Sequence, residues 1–146
     1  MSDEVYGVWK DEMLPPNAGA QGTPDKPVID VRGSVKVPDG LWVVHAKIDV
    51  DNEGSTHQTV HLALRANTME DHAVVRLAPQ SAADRTSVSL MLLAHFPGTR
   101  TNRVNTIYLG LWDTGDPPNV KVGRLKIIAR RTTHWVMEPS PGTTAQ

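Results

Sequence analysis

From Val28 onward, apolar residues recur at every second position, and no stretch sustains the 3.6-residue period of an amphipathic helix. That alternation confines the chain to strands with one dry and one wet face, because successive side chains of a strand point to opposite sides. Residue types agree: 17 Val, 13 Thr and 5 Ile are β-branched and suit a pleated surface. The 11 Gly and 11 Pro fall mostly between the apolar stretches, where turns belong.

The strands read off in order. Over Val28–Val37, Ile29, Val31, Val35 and Val37 share a face opposite Asp30, Arg32, Ser34 and Lys36, and Pro38-Asp39-Gly40 turns the chain. Leu41–Val50 sends Trp42, Val44, Ala46, Ile48 and Val50 inward, with His45, Lys47 and Asp49 outward. Asp51–Ser55 forms a hairpin tip. His57–Arg65 follows, then a shorter strand at His72–Ala78, with Val60, Leu62, Leu64, Ala73, Val75 and Leu77 inward. Thr86–Phe96 buries Val88, Leu90, Leu92, Ala94 and Phe96, and Val104–Trp112 buries Ile107, Leu109 and Leu111. Val120–Arg130 alternates but slips phase near Gly123, which predicts a bulge. A last short strand spans Thr133–Met137. About eight strands at this spacing predict an all-β, antiparallel β-sandwich: two four-stranded sheets, a jelly roll.

With 146 residues the chain is one domain. Residues 1–27 read as an extended N-terminal arm, because Pro15, Pro16, Pro24, Pro27, Gly19 and Gly22 punctuate a segment poor in apolar residues after Leu14. Its head, Val5, Tyr6, Val8 and Trp9, is an apolar anchor. Residues 28–137 form the sandwich, and 138–146 a polar tail. The acidic start lacks the apolar stretch of a secretory signal, and no apolar run is long enough to span a bilayer.

Composition and spacing exclude several chemistries. Lys+Arg 15 against Asp+Glu 16 leaves a net charge of -1, without the basic excess of a phosphate-neutralising nucleic-acid binder. No Cys is present, so disulfides, thiolate metal sites and a Cys nucleophile are excluded. His57 and His61 stand about 13 Å apart on one strand face and cannot share an ion. His45 placed opposite His61, with His95 or Asp49 nearby, is the one metal cluster that spacing allows, and no His-x-His of a cupin occurs. Asp49–Gly54 looks calcium-like but has Val60 where the bidentate glutamate belongs. Asp113-Thr114-Gly115 matches an aspartic-protease triplet in letters only. Neither a Gly-x-Ser-x-Gly elbow nor a phosphate-cradling loop appears. The expectation is no catalytic residues, no metal and no cofactor.

Surface phase carries the functional candidates. Met91, Leu93 and His95 lie on the outward face of their strand, as do Tyr108 and Trp112 on the next. Together they would form an apolar strip outside the core, which predicts a homo-oligomer. Trp112 and Tyr108 equally suit a sugar-stacking platform. Residues 1–30 hold six acids and two bases, whereas 97–146 hold seven bases and three acids. This predicts that an acidic arm meets a basic patch, Arg100, Arg103, Arg124, Arg130 and Arg131, on a neighbouring copy or a partner.

The run Gly40-Leu-Trp-Val-Val-His-Ala-Lys-Ile-Asp-Val resembles an early strand of C1q/TNF-like jelly rolls. Ser87–Phe96 and Asn105–Trp112 look like that family's later strand pair. The likeness covers about residues 40–131, with Phe96-Pro97-Gly98 in place of a Gly-Asp loop and no closing Gly-Phe-Leu. It implies a trimer, and similar domains occur in the fibres, tails and capsid decorations of tailed phages. The leading expectation is thus a non-enzymatic virion structural protein that binds capsid or tail proteins through its arm and oligomer interface. A carbohydrate-binding module using Trp112 and Tyr108 comes second. A metal-dependent jelly-roll enzyme using His45, His61 and His95 comes third.

Overall fold

A computed structural model describes residues 4–15, 28–79, 85–113 and 120–134, without the side chains of Val28, Trp112 and Asp113. It holds eight strands: β1 (Val5–Leu14), β2 (Val28–Val37), β3 (Gly40–Asn52), β4 (Gln58–Ala66), β5 (Met69–Leu77), β6 (Thr86–Phe96), β7 (Asn105–Asp113) and β8 (Val120–Thr132). They form two four-stranded sheets, ordered β1-β8-β3-β6 and β2-β7-β4-β5. All pairings are antiparallel, and β1 pairs β8, β2 pairs β7, β3 pairs β6 and β4 pairs β5. The chain is therefore one long hairpin of strand pairs, wrapped so that alternate pairs fall in opposite sheets. That is a jelly roll.

The dry faces meet in one core. Trp42, Val44, Ile48 and Val50 of β3 and Leu125, Ile127 and Ala129 of β8 face Leu62 and Leu64 of β4 and Ile107 and Leu109 of β7. Trp42 is fully buried, and its Nε1–H donates to the Pro38 carbonyl at 3.0 Å, which satisfies the one polar atom of the ring. Gly110 is buried in β7: a Cβ there would stand 2.5 Å from the Asp30 carbonyl oxygen of the neighbouring strand.

Four readings of the sequence need correction. Residues 5–14 are not part of an arm. They form β1, and Tyr6 and Val8 pack partly buried against the core while β8 supplies the ladder. The free edge of β8 needs a partner, and this segment alternates just well enough to provide one. The Pro- and Gly-rich residues 16–27 lie outside the described residues. Second, the phase of β2 flips between Val31 and Gly33, where the register to β7 shifts. Val31 therefore points out, 51% exposed, while Asp30 and Arg32 turn in as a buried ion pair at 2.7 Å. Third, β5 begins at Met69, because Asn67 takes a left-handed conformation (φ 55) and closes a two-residue turn to β4. Fourth, β8 ends at Thr132; Thr133 and His134 are not strand, and 135–137 lie outside the described residues along with the tail. The slip near Gly123 is present as a register shift, with Arg124 at φ 46.

Candidate functional site

The arginine-rich patch is used inside the chain. Arg131 meets Glu4, just ahead of β1, at 3.0 Å and lies 4.6 Å over the Trp42 ring. Tyr6 packs on the other part of Trp42, with ring centroids 5.4 Å apart at 60°, and Arg103 lies 5.2 Å over Tyr6. The two aromatic rings, Tyr6 and Trp42, thus lie between the cations of Arg103 and Arg131. Arg124 reaches Asp11 at 3.7 Å. The acidic N-terminal segment does meet the basic residues, but within one chain. This corrects the predicted patch: among its five arginines, only Arg130 lacks an ion pair or ring contact among the described residues.

Arg100 closes the same end of the sandwich. Its Nε and Nη2 donate to the Asp39 carboxylate at 2.9 Å, and its backbone N–H adds a third bond at 3.0 Å. Asn105 Nδ2 donates to the Asp39 Oδ1 that Arg100 Nη2 also bonds, at 2.9 Å. Arg100 first and Asn105 second hold the Asp39 carboxyl well below the usual carboxylate range. Gly98 (φ 127) leaves the space that a Cβ would take from this carboxylate. The Phe96-Pro97-Gly98 loop therefore belongs to this clasp.

The predicted apolar strip divides. β6 is the edge of the first sheet and β7 lies inside the second, so Met91, Leu93 and His95 face away from Tyr108. Tyr108 is half-buried and bonds Arg65. Trp112 is in register with Ile29 and His61, and its side chain lies outside the described residues. The predicted histidine cluster fails for the same reason. His45 sits in the first sheet and His61 in the second, where His61 Nδ1 lies 3.4 Å from His72 Nε2. No three metal-ligating side chains converge among the described residues. The calcium-like loop is tied up by its own chain: Asn52 bonds the Thr56 and Ala78 carbonyls and the Gly54 N–H, while Asp51 meets Arg85. Thr114 and Gly115 of the protease-like triplet lie outside the described residues.

What the fold assembles instead is the outer face of the first sheet. Register places the side chains in rungs across β1, β8, β3 and β6. One rung reads Val5, Arg130, Val43, Leu93 and the next reads Gly7, Ile128, His45, Met91. A third reads Trp9, Lys126, Lys47, Ser89, and Leu41 lies between Thr132 and His95 at the far end. Trp9 is 70% and Met91 60% exposed, with Leu41, Val43, Leu93 and Ile128 half-buried beside them. Two separate predictions, the anchor (Val5, Trp9) and the strip (Met91, Leu93, His95), thus meet on one surface. The sequence reading missed Lys47, Lys126 and Ile128, whose outward phase was visible but whose adjacency was not. Within this face His45, Lys47, Ser89, Lys126 and Ile128 line a groove of about 170 Å3.

No family model matches the sequence, and no curated protein matches it. Among solved structures, the chain is similar to an arabinose-bound α-L-arabinofuranosidase at 11% identity and a TM-score of 0.45. That likeness covers 86% of this chain but spans only 23% of the enzyme's length. It is also similar to the globular domain of zebrafish complement 1qA (9% identity, TM-score 0.41, 91% of this chain and 98% of that one). The PRD1 vertex protein is a third (13% identity, TM-score 0.40, 90% and 97%). The jelly-roll assignment rests on the strand order itself.

Proposed function

We propose that the chain is a non-enzymatic structural module of a virion, joined to copies of itself as a trimer and to neighbouring capsid or tail proteins through the outer face of its first sheet. One observation carries this reading. Leu41, Val43, Leu93, Met91 and Ile128 lie side by side on the outside of a sheet, continuous with Val5. The wet face of an antiparallel sheet is ordinarily polar, and apolar patches of this kind on single domains mark contact sites. The virion role follows from the sequence resemblance to phage fibre, tail and decoration domains, and a contact face of this chemistry supports it.

Light scattering tests the contact. The intact chain is expected to be oligomeric, and Met91→Glu with Leu93→Glu to yield a folded monomer, because two carboxylates in an apolar contact lose their hydration. A monodisperse monomer for the unsubstituted chain, at the concentrations of an assembled particle, would sink the reading.

A further inference from the structure

One end of the outer face carries charge that the fold leaves uncompensated. Lys47 of β3 and Lys126 of β8 are register partners. Like charges directly opposite each other on neighbouring strands destabilise a sheet. Six of the arginines enter ion pairs, whereas neither lysine has one among the described residues. The nearest acid along the strand is already engaged. Asp49 accepts a hydrogen bond from Ser87 Oγ at 2.5 Å and lies 3.9 Å from Arg124, which also meets Asp11. Lys47 and Lys126 therefore line the groove together with His45, Ser89 and Ile128. On the far side of Lys126 stands Trp9, its register partner, with most of the indole in water. Gly7 leaves the adjoining rung of β1 without a side chain.

We infer that this groove binds an acidic saccharide, with a carboxylate, sulfate or phosphate group held between Lys47 and Lys126 and a sugar ring laid against Trp9. An oxyanion removes the repulsion between the lysines and takes charge-assisted hydrogen bonds from both. Ser89 and His45 add donors at the same mouth. The indole offers a flat apolar surface to the C–H face of a pyranose. Charge complementarity favours this ligand over a second copy of the chain, because six of the described carboxylates, those of Glu4, Asp11, Asp30, Asp39, Asp51 and Glu70, are already bound to arginines. A nucleic acid needs a longer basic track, and the chain as a whole carries a net charge of -1. The site uses Trp9, Lys47 and Lys126, whereas the assembly contact uses the apolar rungs towards Leu41 and Leu93, so each stands or falls alone.

The full chain is titrated by calorimetry and tryptophan fluorescence with tetragalacturonate, which presents carboxylates, and with a chondroitin sulfate hexasaccharide, which presents sulfates. Neutral maltohexaose and a twelve-nucleotide oligothymidine are the comparison ligands. Saturable binding of an acidic saccharide is expected, with none of maltohexaose. It should weaken roughly tenfold in Lys47→Gln/Lys126→Gln and about fivefold in Trp9→Ala, and fall as salt rises. All three positions are exposed, so circular dichroism should confirm that the variants stay folded. The inference is overturned if neither acidic saccharide saturates by about 10 mM, a Kd too weak for recognition. Equal binding of maltohexaose, tighter binding of the oligothymidine, or indifference to the lysine substitutions would overturn it as well.

Discussion

Replacing Tyr6 with Ala tests whether β1 belongs to the folded body. An N-terminal arm would tolerate the change, because nothing in the sandwich would depend on it. In the structure Tyr6 points inward opposite Ala129, whose small side chain leaves room for the ring. It contacts Trp42 at 5.4 Å and lies beneath Arg103 at 5.2 Å. Removing a half-buried ring costs about 1 kcal/mol of apolar burial. The tilted ring pair adds about 0.5–1.5 kcal/mol and the cation–π contact about 0.5–1 kcal/mol. These contributions overlap, so we expect a loss of about 2–3 kcal/mol in urea unfolding. That corresponds to a fall in Tm of roughly 5–10 °C for a domain of this size. Trp9→Ala is the internal control. Trp9 belongs to the same strand but faces solvent, so its loss should stay within about 0.5 kcal/mol. A Tyr6→Ala protein as stable as the parent, or a Trp9→Ala protein as damaged as Tyr6→Ala, would refute the placement of β1.

Three further outcomes follow from the same geometry. Deleting residues 1–14 should leave a protein that melts early and aggregates, because the edge of β8 loses its partner and the Trp42 ring loses its cover; a soluble truncated chain with the parent's Tm would contradict this. Folded Asp39 holds its proton less readily than the unfolded chain, so its contribution is fully present above about pH 4 and is lost as the pH falls further. Asp39→Asn should therefore flatten the acid limb of a stability–pH curve while lowering stability at neutral pH, and an unchanged acid limb would count against the clasp. Gly110→Ala should cost about 1–3 kcal/mol in chemical unfolding, because the new Cβ would meet the Asp30 carbonyl at 2.5 Å and backbone cannot step aside; a neutral substitution would show that β2 and β7 are less closely paired.

How far the fold could be read from the chain depended on how far each signal reached. β6 runs over Thr86–Phe96, the bounds its unbroken period of two implies, because eleven residues of alternation leave no second phase to choose. The bulge in β8 was equally legible, since two residues rather than one separate the inward Val122 from the inward Leu125. β1 was not. Its alternation rests on Tyr6 and Val8, and the Pro- and Gly-rich residues that follow dominate the composition of the first 27. What makes it a strand is the unfilled edge of β8, more than a hundred residues away in sequence. The reversal in β2 has a similar cause. A bulge between Val31 and Gly33 leaves little local signature, yet it turns Val31 out and buries the Asp30–Arg32 pair.

The candidate site failed to appear for a topological reason. The outward phase was right for Met91, Leu93, Tyr108 and Lys47, since alternation reports which side of a strand a residue occupies. It does not report which strand lies alongside. Met91 and Tyr108 were joined because β6 and β7 are consecutive, but in this jelly roll every consecutive pair except β4 and β5 crosses between sheets. Neighbours instead obey the nested pairing of β1 with β8, β2 with β7, β3 with β6 and β4 with β5. Counting Thr133–Met137 as the eighth strand, in place of Val5–Leu14, shifted every partner by one and hid that rule. With β1 counted first, the rule sets Met91 beside His45 through β3 and β6, and Trp9 beside Lys126 through β1 and β8. The contact between β3 and β8 then brings Lys47 against Lys126. A face that combines an exposed indole, two opposed lysines and an apolar flank follows from alternation plus one correctly recognised strand. The information for the site was thus present in the chain, but it became readable only once the strand with the weakest local signal had been placed.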